Sequence, residues 1–215
     1  MKSVLLIGLG RFGLGVARKL NELNHQVMAV DTDEERVNRA LPYVTGAQIG
    51  DTKSEAFLRS LGVDNFDVCF VCIGEDFQAS LETTSLLKEL GGRHVVARAS
   101  SAVHRKFLLR NGADEVVYPE EQLAEWAAIC FTSDQIRDFV KIDGDYALYE
   151  VAVPETWAGT NVAQLDIRKK FGLNLLVVKE PGYPSAVVTP NTVFHRGQTV
   201  LTLGRWKDVQ KCFRI

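Results

Sequence analysis

Long apolar runs are missing from this 215-residue chain. Those it has, such as Val68 to Ile73 and Leu175 to Val178, fall far short of the roughly 18 or more residues that span a bilayer. Met1-Lys2-Ser3 leads straight into a strand-like stretch, without the charged segment and cleavage site of a secretory signal. A soluble, cytoplasmic protein is therefore expected. Charge of one sign is missing too. A formal net charge of -2 sets up no large field, and no Lys/Arg block marks a groove for a nucleic acid polymer. Cysteine is scarce, at four residues, which argues against a secreted disulfide framework. Cys69 and Cys72 stand at C-x-x-C spacing, but the run around them reads as a buried strand, in which residues three apart face opposite ways. Both are read as small core residues rather than metal or redox ligands. His25, His94, His104 and His195 share no metal-ligand spacing, and no Ser-His-Asp or Cys-His set can be argued. A dehydrogenase would need a proton-transferring group beside the substrate carbonyl and a second domain large enough to hold that substrate. Neither is evident, so binding without catalysis is expected.

What is present is an alternation. Apolar residues make up 46% of the chain and charged residues 24%, a balance that supports a packed core, and the length suits one typical domain plus a small one. From residue 2 to about 131, Val- and Ile-rich runs at Val4–Ile7, Gln26–Val30, Ala47–Ile49, Val68–Ile73, His94–Ala97 and Glu115–Tyr118 read as strands buried on both faces. Between them, helical spacing puts Phe12, Val16, Leu20 and Leu23 on one face, and likewise Phe77 and Leu81. Strand then helix, six times over, predicts an α/β fold: a Rossmann-type, doubly wound parallel sheet. A helix after Pro119 follows, with Leu123, Trp126, Ala127 and Cys130 on one face, suited to a neighbouring subunit or equally to the chain's own core. The predicted organisation is a nucleotide-binding domain over 1–132, a linker helix within 133–143 and a small α+β lobe over 144–215. In that lobe, strands near Ala147–Val153 and Asn174–Val178 flank a helix at about Val162–Phe171, and Trp206–Phe213 reads as a last helix.

Gly8-Leu9-Gly10-Arg11-Phe12-Gly13 lies between the first strand and the first helix. There Gly8 permits the tight turn, Gly10 lets a pyrophosphate approach the backbone, and Gly13 lets the helix pack closely. The helix N-terminus would meet the phosphates with free N–H groups. Asp31 closes the second strand about 20 residues on, where a carboxylate takes ribose hydroxyls. Thr32 follows it, with no Arg at that position for a 2′-phosphate, so NAD, ADP or ATP is favoured over NADP. Asp51 and Gly74 fall at carboxyl ends of strands, where open α/β sheets bind ligands. Asp51 reads equally well as the N-cap of the next helix. Arg98, at the end of the fifth strand, joins the candidate contacts.

The opening V-L-L-I-G-L-G-R-F-G, Val30-Asp31, Ile49-Gly50-Asp51, D-V-C-F-V-C-I-G followed by Gln78, Ser85 to Leu90, Gly112-Ala113-Asp114 and Tyr118-Pro119-Glu120 together resemble the KTN/RCK proteins. These are cytoplasmic regulatory subunits of Ktr and Trk potassium-uptake systems, and residues 144–215 resemble their smaller RCK C-terminal lobe. The resemblance implies a homo-oligomer, dimers assembled into an octameric ring. That ring would dock on a membrane potassium-translocating subunit of the KtrB or TrkH type, with ATP activating and ADP inactivating and NAD(H) the alternative ligand. It further implies that Arg11 reaches the terminal phosphate of ATP, that Gln78 belongs with the nucleotide contacts, and that Glu120 helps hold Mg2+ or Ca2+ between subunits. The bland readings are a solvated first-turn side chain for Arg11 and a helix-start acid for Glu120. Some family members bind cyclic di-AMP on the smaller lobe through an Asp-x-Arg element and a histidine. Asp166-Ile167-Arg168 matches the element, while Asn174 stands where that histidine would be.

Overall fold

The computed structural model describes residues 1–215, which divide by internal packing into two units, Met1–Glu121 and Gln122–Ile215. The first alternates strand and helix as the sequence predicts. Its elements are β1 (Ser3–Ile7), α1 (Arg11–Glu22), β2 (Gln26–Asp31), α2 (Glu34–Ala40), β3 (Gly46–Ile49), α3 (Glu55–Leu61), β4 (Val68–Val71), α4 (Phe77–Glu89), β5 (Val95–Arg98), α5 (Ala102–Arg110), β6 (Glu115–Val117) and the start of α6 (Pro119–Thr132). All six strands run parallel in the order β3-β2-β1-β4-β5-β6. Sequence moves outward from β1 in one direction to β3, then restarts beside β1 at β4, so the connections after β1 and β4 diverge and open a crevice at their carboxyl ends.

Helices cover both faces of this sheet, and the alternation of side chains along each strand feeds two cores. Leu5, Ile7, Leu58, Cys69 and Val71 pack on one face; Val4, Leu6, Val27, Ala29 and Cys72 pack on the other. Cys69 and Cys72 thus sit on opposite sides, and burial pushes each thiol up to about 12. At neutral pH neither forms the thiolate that metal binding or redox exchange requires.

The second unit contains the remainder of α6, then β7 (Ile136–Asp143), β8 (Tyr146–Ala152), α7 (Val162–Leu165), α8 (Ile167–Phe171), β9 (Asn174–Lys179), β10 (Ala186–Val187), β11 (Thr199–Arg205) and α9 (Trp206–Phe213). Its five strands form an antiparallel sheet, β10-β9-β11-β8-β7. Ile136, Tyr149, Trp157, Phe194 and Phe213 fill its core, with Trp157 between the rings of Phe194 (5.6 Å) and Phe213 (5.0 Å).

Two expectations are corrected. The linker helix predicted within 133–143 is strand β7, paired with β8 from Ile136↔Val151 to Asp143↔Tyr146. Gly144 turns the hairpin at φ 53, and the Ile136, Val140 and Ile142 side chains are β-branched, which favours a pleated strand over a short, isolated helix. The division between units also falls inside α6 rather than after residue 132, because Trp126, Ile129 and Cys130 join the core of the second sheet. The helix predicted over Val162–Phe171 is present but broken by Asp166, at φ 50.

Candidate functional site

The crevice at the carboxyl ends of β1 and β4 is a cleft of about 950 Å3. The glycine loop forms its floor. Gly8 holds φ +89, and a side chain there would meet the Cys72 carbonyl carbon at 2.9 Å. A methyl on Gly13 would lie 1.9 Å from the Gly8 carbonyl oxygen, so α1 can rest on the loop only without one. Gly13 does not line the cleft; its task is this close packing. Around the Cβ direction of Gly10, by contrast, there is nothing within 4 Å, which leaves approach to the backbone open. Gly10 caps α1 without a side-chain hydrogen bond, and the first turn carries no acid, so its leading N–H groups face the cleft with the positive end of the helix dipole behind them. Arg11, in that turn, is exposed, lines the cleft and forms no ion pair.

Asp31 ends β2 on the cleft wall, 7% exposed. Its Oδ2 accepts from the Leu9 N–H at 2.6 Å and its Oδ1 from the Asp33 N–H at 3.0 Å. Each oxygen keeps a further lone pair, the acceptor capacity that two ribose hydroxyls need. The same carboxylate therefore pins the glycine loop, a role that sequence reasoning did not assign to it. Thr32 lines the cleft beside it, exposed. Arg36 and Arg39, on α2, also reach the cleft, and Arg36 Nη1 stands 3.9 Å from Asp31 Oδ2. The two stand three apart on α2, the spacing of one helical face, a signal in the sequence that Thr32 alone does not carry. Asp51 lies in the lining but does not cap α3: Ser54 does, accepting from the Phe57 N–H at 3.3 Å, while Asp51 Oδ1 accepts from Lys53 N–H within its own turn at 3.0 Å. The capping alternative for Asp51 is thereby corrected.

Gly74, after β4, leaves the space that Arg98 occupies; a Cβ there would meet Arg98 Nη1 at 2.2 Å. Arg98 crosses from β5 with its guanidinium carbon 5.6 Å from the Phe12 ring centroid, and Nη2 donates to Glu120 Oε1 at 2.5 Å. Glu120 sits in the first turn of α6 and lines the cleft. Its own backbone N–H, and then Arg98, hold its carboxyl below the ordinary value against the upward push of burial. Gln78 is outside the cleft lining, exposed on α4 and donating to Glu82 at 2.6 Å. Asp76, which sequence reasoning passed over, does reach the cleft while capping α4 through the Ala79 N–H at 2.9 Å. The chain gathers no group of three or more His, Cys, Asp or Glu that could hold a metal ion, and Glu120 offers one carboxylate already paired with Arg98. Residues of a single chain do not fit a resident Mg2+ or Ca2+ ion here.

In the second unit, Asp166, Arg168 and Asn174 line a separate groove of about 290 Å3, together with Ile167 and Val188. The structure thus brings the Asp-x-Arg element and Asn174 together.

A glycine loop opening an uncapped helix N-terminus, a buried carboxylate at the end of β2 and a switch-point crevice define a Rossmann-type fold, here followed by a small antiparallel lobe. The chain belongs to the TrkA-N domain family, whose model matches residues 4–119. It is 35% identical over 212 residues to Ktr system potassium uptake protein C of Bacillus subtilis (strain 168), covering 98% of this chain and 95% of that one. Against Ktr system potassium uptake protein A of the same organism it is 31% identical over 210 residues, with the same two shares, 98% and 95%. A solved structure described as the GsuK channel bound to NAD superposes with a TM-score of 0.70 at 18% identity, over 98% of this chain and 38% of the GsuK chain, a likeness of fold. No helix of this chain is long and apolar enough to cross a membrane.

Proposed function

We propose that this chain is a cytoplasmic, nucleotide-sensing regulatory subunit of a potassium-uptake system. It acts through a separate membrane subunit of the KtrB or TrkH type, with ATP activating and ADP inactivating. The observation that carries the reading is the phosphate cradle of an uptake-protein relative: open N–H donors at the start of α1, beside an unpaired Arg11. Similarity to two potassium uptake proteins over nearly the whole chain supplies the physiological setting. A cleft of about 950 Å3 also admits a dinucleotide, and the NAD described in the GsuK channel favours NAD(H) as the second reading. In either case Asp31 would accept from the adenosine ribose. The groove at Asp166 and Arg168 would take cyclic di-AMP as a second effector.

A switch needs a group that distinguishes its ligands, since a ligand shifts an equilibrium only by its differential affinity for the two states. The loop backbone meets phosphates common to ATP and ADP. Arg11, within the loop itself and in no ion pair, can fork onto a terminal phosphate. Arg11→Ala is expected to weaken ATP by roughly 1.5–3 kcal/mol and ADP much less. Calorimetric titration of both nucleotides checks this, and equal losses would make Arg11 a general anchor. If ATP, ADP and NADH, each at millimolar concentration, all leave the wild-type melting temperature unmoved, the nucleotide reading fails. Ligand at 100 times its dissociation constant should add ~2.7 kcal/mol of stability.

A further inference from the structure

Arg98, the candidate contact at the carboxyl end of β5, stands in surroundings suited to a phosphate ligand. The guanidinium fills the space that a side chain on Gly74 would take. The Phe12 ring, in the first turn of α1, lies 5.6 Å from the guanidinium carbon. Arg98 Nε is buried without a hydrogen-bond partner, while Nη2 is spent on Glu120 Oε1. A guanidinium carries five N–H donors in a planar fork. This one walls the cleft together with Arg11 and the glycine loop, and its one side-chain hydrogen bond goes to Glu120.

We propose that Glu120 and a phosphate of the bound nucleotide compete for the Arg98 guanidinium, making Arg98 the residue that links cleft occupancy to the first turn of α6. This rests on the nucleotide reading above and deepens it. Two anions cannot both take the forked face of one guanidinium at full strength, so a phosphate that engages Arg98 weakens its hold on Glu120. Glu120 opens α6, and that helix runs from the first unit into the second. The pair is therefore the point on the cleft wall where ligand chemistry meets an element that leaves the domain. Arg11, which forms no ion pair, has no such competitor.

A double-mutant cycle tests it, with ADP and ATP titrated calorimetrically in excess chelator so that no divalent cation bridges Glu120 to the nucleotide. Glu120→Gln removes the competitor and is expected to tighten nucleotide binding roughly two- to fivefold, the range that an exposed ion pair's strength corresponds to. In an Arg98→Met background the same Glu120→Gln change should have almost no effect. Equal tightening in both backgrounds would mean that Glu120 merely repels phosphate through space, and would overturn the competition. So would no tightening in either. Arg98→Lys keeps the charge without the fork and is expected to fall between, which separates loss of the interaction from loss of fold, and melting temperatures of every variant check the latter. If wild type binds none of ATP, ADP or NADH, both readings fall; if it binds them and the cycle shows no coupling, the competition alone falls.

Discussion

Asp31 serves the cleft and the loop with one carboxylate. Its bond from Leu9 N–H at 2.6 Å is charge-assisted and buried, so truncation strands a backbone donor as well as removing the proposed ribose acceptor. Asp31→Ala is expected to destabilise the unliganded protein by roughly 1.5–3 kcal/mol and to weaken ATP and ADP alike. Denaturant midpoints and calorimetry read the two effects separately, and loss of affinity at unchanged stability would mean that the loop does not depend on Asp31. His104 makes a different residue-scale case. It is fully buried, its Nδ1 accepts from the Ser100 N–H at 3.2 Å, its Nε2 has no partner, and the Phe77 ring lies 4.7 Å away. Burial lowers its pKa below the ordinary 6.5, so the folded protein binds fewer protons here than the unfolded chain. The stability it contributes is complete above about pH 6.5 and is lost as pH falls through the lowered folded value. Urea midpoints between pH 8 and pH 5 should decline on the acid side, and His104→Gln should flatten that decline.

At the scale of elements, residues 134–140 within the predicted linker read locally as a short helix, but the Asp143-Gly144-Asp145 turn outweighs that local preference. A hairpin lets β7 pair along β8, whereas a seven-residue helix standing alone is marginal. Gly144 holds φ 53 with no atom near the Cβ position, so a side chain there meets backbone strain and no clash. Gly144→Ala is expected to cost about 1–2 kcal/mol, the penalty for a left-handed residue, and Gly144→Asn less. Thermal melts of the two variants check the order; equal stability to wild type would contradict the turn. The same scale explains the Asp51 correction. Two capping residues, Asp51 and Ser54, stand three apart, and only the direction of α3 decides which one meets its N–H groups.

For the whole molecule, the predicted association face on α6 is divided. Trp126 and Cys130 turn into the core of the second unit, with Trp126 Nε1 donating to Asp138 at 2.9 Å, while Leu123 and Phe131 are 63% and 79% exposed. On the first unit Phe77, Val103 and Phe107 are also exposed, with Phe77 and Phe107 edge-to-face at 6.0 Å. Grouped apolar side chains of this size mark association surfaces. The chain is expected to sediment as a dimer or larger species at tens of micromolar, and Phe131→Ser to shift that distribution toward monomer. A monomer across that range would count against a ring.

The parallel sheet, the glycine loop between its first strand and first helix, the two-sided burial of Cys69 and Cys72 and the placing of Asp31 at the end of β2 were all legible in residue order. Each depends on spacing along the chain: period two in strands, three glycines in six residues, a carboxylate one strand away. Tertiary structure alone decided the rest. That Arg36 faces the cleft, that Gly74 is open for Arg98, that Arg98 meets Glu120 across 22 residues, and that half of α6 packs on the second sheet are matters of direction between elements. Local propensity sets which residues are helical or extended. It carries no information on where two helices point once a sheet has twisted beneath them, and the long side chains that complete this cleft are aimed by that geometry.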